Sequence, residues 1–284
     1  MIDFGLGDPE VAAHFDRALA IIEGPVSDLA QRIFTGRALP PDCEIARLTD
    51  EAVPGPLDPT TSIMVAASAA TGSLQQIKTI IRDSVPSSPI VFQALIRSAL
   101  VGAARAVYVL LPTDPGERSS RVAGVLAQDA SSGVKAYKEF TQLKGIQALR
   151  APAQCLEDFQ NQYDALRDSQ RASRDGEIID GMTLALADAL QVGDPSADAL
   201  NRAILVDHAK LLWNTYSGLA HGYSWPRTLW GLSPDRRIPG DFAMDLYHVA
   251  TCTQVALVAI LDRSSTASAS TTERVTLDGT VGTH

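Results

Sequence analysis

The strongest constraint on this chain is a two-residue step that recurs along it: Asp8-Pro9, Asp58-Pro59, Ser88-Pro89, Asp114-Pro115 and Asp194-Pro195. An Asp or Ser side chain accepts hydrogen bonds from the free amides of a first helical turn, and a proline at the first helical position has no needed N–H to lose. Each step therefore predicts a helix start. Followed along the chain, the steps give helices at about residues 9–23, 59–83, 89–111 and 115–140, with further ones at about 153–172, 178–191, 196–221 and 240–262.

Apolar periodicity agrees with these starts. In the helix after Ser88, Val91, Leu95, Leu100, Val107, Leu110 and Leu111 recur at helical spacing and the segment is apolar on most sides, which predicts a central buried helix. Between Leu200 and Ala220, Leu205, Leu212, Tyr216 and Leu219 form one side, with Val206, Ala209, Trp213 and Ala220 beside them. The expected fold class is all-α, a multi-helix bundle with long antiparallel helices. One helical domain is expected over residues 1–263, with a Ser/Thr-rich disordered tail over 264–284. Gly36 to Leu57, with four prolines and two glycines, is expected to be a long surface loop, and Gly222 to Gly240, carrying Trp225 and Trp230, a second one.

Charge and cysteine content narrow the function classes. A net charge of −9 argues against non-specific attraction to nucleic acid, which rests on many Lys and Arg contacts to phosphate, and leaves room only for a local basic site. Cys43, Cys155 and Cys252 are widely spaced, so neither a disulfide framework nor a Cys-rich zinc site is indicated. The N-terminal MIDFGLGDPE is not a secretory signal, and Val249 to Leu261 is too short to span a bilayer. A cytoplasmic protein without membrane contact is expected.

The local pattern richest in chemistry ends in YSGLAHGYSW. Asp207, Lys210, Asn214, Ser217 and His221 follow a spacing of three or four and share a helix face. His221 ends that face, with Gly222 as a left-handed cap, and a helix C-terminus favours a protonated imidazole that can act as a general acid or base. The alternative is a solvated face that happens to end in His. Arg97 and Arg105 interrupt the apolar third long helix, and a charge there needs a partner or a ligand. Arg118 and Arg121 are neighbours one turn apart; they either meet phosphate oxygens with their planar forks or pair with Glu117, Asp129 or other carboxylates. Arg227, Arg236 and Arg237 accompany the two loop tryptophans, an arrangement that either holds single-stranded nucleic acid or anchors the loop.

Weaker patterns are an Asp245-x-x-His248 step and the Glu10/His14 pair, neither with a matching partner legible in sequence, so no metal and no cofactor are expected. H-E-x-x-H, G-x-S-x-G, Walker-type and dinucleotide motifs are absent from the sequence.

The stretch SPIVFQALIRSALVGAARAVYVLLP, followed by ERSSR and later by YSGLAHGYSW, resembles a group of uncharacterised, largely actinobacterial all-helical proteins. These pair an R-S/A-A-L helix ending in a leucine run with a late S-G-x-x-H-G motif, and are associated with the HEPN-like helical families, whose better-known members are ribonucleases of toxin–antitoxin and phage-defence systems. Arg97, Arg118, Arg121, Ser217, His221 and Gly222 fall on the typical positions; the usual acidic residue one turn after the first arginine is Val101 here.

The resemblance implies a HEPN-like core and a metal-independent endoribonuclease. His221 would exchange a proton with the ribose hydroxyl or leaving oxygen, Arg97 and Arg121 would neutralise the phosphate, and Arg118, Asn214 and Ser217 would hold substrate. RNA, a second copy of the chain, and an antitoxin or other protein are the partners it implies. The HEPN signature, Arg then four to six residues then His, is matched by Arg202 and His208, whose side chains would point about 120° apart on a continuous helix, which ranks His221 above His208. The alternative is a non-catalytic helical binding or regulatory module that uses the same polar residues structurally.

Overall fold

The protein is described from a computed structural model covering residues 8–35, 39–85, 88–145, 152–169, 172–189, 195–221 and 239–265. Among these residues the chain is a bundle of α-helices with no strand. In chain order they are α1 (Pro9–Ile21), α2 (Ser27–Phe34), α3 (Glu44–Asp50), α4 (Pro59–Arg82), α5 (Pro89–Leu110), α6 (Pro115–Phe140), α7 (Ala153–Ser169), α8 (Asp175–Ala189), α9 (Pro195–Ala220) and α10 (Pro239–Ser264).

The caps are those the sequence predicts. Asp8 accepts from the Glu10 amide at 2.9 Å, Asp58 from Thr61 at 2.8 Å, Ser88 from Val91 at 3.4 Å and Asp114 from Glu117 at 2.8 Å, each with proline next in line. Pro195 opens α9 in the same way, while Asp194 lies outside the described residues. The end of α4 is also chemically specified. Ser84 adopts a left-handed φ of 50°, and the Val85 amide reaches back to the Ile80 carbonyl at 3.1 Å, satisfying an acceptor the helix end would otherwise leave open.

Two expectations for the N-terminal third are corrected. The first helix does not stop near residue 23 but runs through a π-helical turn, Ile22–Val26, into α2. Pro25 sits inside that turn, where its missing N–H and its ring exclude ordinary α-helical bonding and favour a wider turn. The Ser27 hydroxyl donates to the Ile22 carbonyl at 2.7 Å, alongside the Ser27 amide, which reaches the same oxygen. The stretch Gly36–Leu57 is not wholly irregular either: it contains α3, whose Cys43 Sγ accepts from the Ala46 amide at 3.4 Å and whose Ile45 and Leu48 are buried. The remaining loop is pinned by buried Gln162 of α7, which donates to the Val53 and Leu57 carbonyls at 3.1 and 2.6 Å and accepts from the Leu57 amide at 3.1 Å. The loop Gly222–Gly240 with its tryptophans and arginines, and the tail from 266 onward, lie outside the described residues save for the start of α10.

Helix α5 is the axis of the bundle, as its all-round apolar pattern predicts. It packs against α4, α6, α8, α9 and α10, and Phe92, Ile96, Leu100, Val107 and Leu110 are fully buried along it. Helix α4 crosses it closely at Gly102, where an added Cβ would lie 2.4 Å from the Ala66 carbonyl oxygen. Phe92 meets Phe242 of α10 edge to face, with ring centroids 5.5 Å apart. The segments Ile90–Leu110 and Phe242–Ser264 are long and apolar enough to cross a membrane by length and composition, and just over half of each is buried inside the bundle. In α10 that stretch extends well beyond the 249–261 run the sequence singles out. Cys43, Cys155 and Cys252 are free thiols, and burial pushes Cys252 up to about 12.

Candidate functional site

Of the six residues singled out by sequence, the structure brings two together directly. Arg97 of α5 donates its Nε to the Ser217 hydroxyl of α9 at 2.7 Å. His221 follows one turn later, exposed, in the turn that closes α9, with its amide bonded to the Ser217 carbonyl at 3.1 Å. Residues four apart on a helix are surface neighbours, so Arg97, Ser217 and His221 share one edge of α9. Asn214 is exposed and donates to the Lys210 carbonyl of its own helix at 2.9 Å, and Lys210 pairs with Asp180 at 3.2 Å. That part of the polar face is solvated.

The other two arginines are elsewhere and occupied. Arg118 is buried, ion-paired to Glu44 and donating to the Pro112 carbonyl; Glu44 is also held by Arg263 at 2.9 Å. This network ties α6, α3 and α10 together, and Arg118 has no open side from which to receive a substrate phosphate. Arg121 pairs with Glu117 at 2.5 Å, donates to the Tyr108 carbonyl at 2.9 Å and lies over the Tyr108 ring at 4.6 Å. Tyr108 is eleven residues beyond Arg97 on α5, about 16 Å along its axis. The composite of Arg121 with Arg97 and His221 in one cleft is therefore corrected: local carboxylates and carbonyls claim Arg118 and Arg121 first.

A different cluster bridges α9 and α10. His208 Nε2 lies 3.2 Å from Asp245 Oδ1, the Tyr216 hydroxyl donates to Asp245 Oδ2, and His208 Nδ1 faces His248 Nδ1 at 3.4 Å with the rings edge to face. The Asp245 side chain is 2% exposed and that of His208 is 30% exposed, so a buried carboxylate braces a histidine that solvent can reach. A carboxylate only accepts, so this contact places a proton on His208 Nε2 and leaves Nδ1 as the basic nitrogen. Burial, reinforced by the neighbouring His208 and opposed by Asp245, lowers His248 to about 4, so His248 is neutral at pH 7. Its Nε2 is buried without a hydrogen-bond partner among the described residues.

Two signals for this cluster are present in the sequence, the Asp245-x-x-His248 step and the Arg202-x5-His208 spacing, but nothing local joins them. The joining agent is α5, against which both α9 and α10 pack. His208 and Ser217 are nine residues apart, which is about 180° around α9 and about 14 Å along it. The two polar groups are thus on opposite faces of one helix. Comparison with protein-family models, with curated proteins and with solved structures finds no match to this chain.

Proposed function

We propose that this chain is a HEPN-like helical protein of toxin or phage-defence type that cleaves RNA without a metal ion, with His208 as its acid–base residue. The observation that carries the reading is the His208–Asp245 contact: a solvent-reachable imidazole whose tautomer and orientation are fixed by a buried carboxylate, itself held by Tyr216. That arrangement suits a general base. His208 would exchange its Nδ1 contact with His248 for a ribose 2′-hydroxyl, take that proton as the 2′-oxygen attacks phosphorus, and pass it to the departing 5′-oxygen, while Asp245 would stabilise the transient imidazolium and His248, being neutral, would add no repulsion to it. Arg202 stands on the same helix at the HEPN-type spacing, its side chain outside the described residues. The core would be HEPN-like with antiparallel long helices, the protein would act in the cytoplasm, and a second copy or an antitoxin would be its protein partner.

Purified protein incubated with single-stranded RNA in EDTA should cleave it, and His208→Ala and Asp245→Asn should abolish cleavage. His221→Ala decides between the two histidines: loss there, with His208→Ala active, moves the chemistry to the end of α9. RNA left intact by the wild type, as monomer and as any dimer, removes the nuclease reading. One observation favours a second reading, that of a non-catalytic helical module: Arg105, Arg118 and Arg121, three of the four arginines on α5 and the first half of α6, are engaged in internal ion pairs. Under it, His208→Ala lowers stability and changes no turnover.

A further inference from the structure

Helices α4, α5 and α6 leave a groove of about 310 Å³ between them. Its walls are aliphatic, Val65 and Ala69 from α4 facing Val101 from α5, and Val65 is 62% exposed although it lies on a helix whose other face is core. Two arginines of α5 line the same groove in different electrostatic states. Arg105 is neutralised, pairing with Asp129 at 2.8 Å and donating to Gln128 at 3.3 Å; Asp129 also accepts from Ser62 at 3.2 Å. Arg97 donates only Nε, to Ser217, and among the described residues neither of its terminal nitrogens has a partner. Asp58, on the lip, has both carboxylate oxygens on Thr61, at 2.8 and 2.6 Å.

We propose that this groove binds a small monocarboxylate with an apolar body, its two oxygens on the terminal nitrogens of Arg97 and its body between Val65, Ala69 and Val101. A planar guanidinium held at Nε presents its remaining edge to two coplanar oxygens, the geometry of a carboxylate. The charge balance selects a monoanion. Arg97 is the one uncompensated cation of the groove among the described residues, and Asp58 and Asp129 at its margins oppose a second negative charge. The volume is at the small end for ligand pockets, about 300–1,000 Å³, which sets the ligand at roughly ten non-hydrogen atoms. The site lies on the Ser217 side of α9, opposite His208, so it stands or falls separately from the nuclease reading.

The test is calorimetric titration of the full chain at pH 7 with 3-phenylpropanoate, with 3-phenylpropan-1-ol as the uncharged probe and benzylmalonate as the dianion. The carboxylate should bind saturably at one site and at least about tenfold more tightly than either comparison compound, the value expected for a charge-assisted pair of bonds. Arg97→Gln should weaken it by at least about tenfold, and so should Val65→Asp, which adds a negative charge at an exposed position and so does not put folding at risk. Absence of saturable binding, unchanged affinity in both variants, or tighter binding of benzylmalonate overturns the proposal.

Discussion

His248 makes the α9–α10 cluster a measurable brake on stability in acid. Its pKa is lowered from about 6.5 to about 4, first because the imidazole is buried, then because His208 stands beside it, with Asp245 pulling the other way. The sign follows directly. Below about pH 6.5 the unfolded chain binds a proton that the native imidazole refuses, so stability present above that pH is lost as pH falls toward 4. Each pH unit costs about 1.4 kcal/mol, giving a loss of about 2 kcal/mol at pH 5 and about 3 kcal/mol at pH 4. Urea unfolding of the wild type and of His248→Gln between pH 7.5 and 4.5 reads this contribution together with its coupling to His208 and Asp245, the remaining titrating groups being common to both. The difference between the two stabilities should narrow by about 2 kcal/mol between pH 7 and pH 5. A constant difference, or a His248 imidazole that titrates near 6.5 by NMR, would refute the reasoning.

Three further outcomes test the packing that positions these sites. Gly102→Ala should destabilise by about 1–3 kcal/mol, because its Cβ meets the backbone of Ala66 and Ala70 and α4 must move away, whereas Gly72→Ala, on the open side of α4, should stabilise by up to about 1 kcal/mol; thermal unfolding of both reads the contrast. Arg118→Ala should cost about 3 kcal/mol, at the low end for a broken buried pair because Glu44 keeps Arg263, and equal stability of variant and wild type in urea would return Arg118 to the list of free cations. Ser84→Gly should raise the melting temperature by a few degrees, as glycine carries no Cβ penalty at φ 50°; a lower melting temperature counts against the left-handed cap.

The helical architecture was legible because its signals are local. An Asp or Ser followed by Pro specifies a cap within three residues, and the caps at Asp8, Asp58, Ser88 and Asp114 form as the dipeptides dictate. What escaped the sequence depended on partners far along the chain or on an exception to a local rule. Pro25 reads as a terminator, yet the helix continues because a π turn reroutes the bonds that proline disturbs. Helix α3 lies in a proline-rich stretch, and its two buried residues find their core only once α4 and α10 are in place.

The site was legible only in part, for the same reason. Spacing grouped Ser217 and His221 on one edge and marked Arg97 as a charge in need of a partner; Ser217 takes its Nε and leaves the charge itself unmatched among the described residues. Spacing could not show that Arg118 would be consumed by Glu44, seventy-four residues upstream, or that His208 would find Asp245 thirty-seven residues downstream. The second pairing is decided by how α9 and α10 seat on α5, and the first by how α3 and α6 meet across the bundle. The consequence is that α9 presents two unlike faces: a carboxylate-braced histidine toward α10, and a hydroxyl toward Arg97 and the α4–α5 groove. A substitution at Ser217 should therefore alter anion binding and leave the His208–Asp245 contact intact, while one at Tyr216, the adjacent residue, should do the reverse, because neighbours on a helix point about 100° apart. Measuring carboxylate affinity and the His208 NMR titration in Ser217→Ala and Tyr216→Phe separates the two faces; a change in both readouts from either substitution would mean that they form one site.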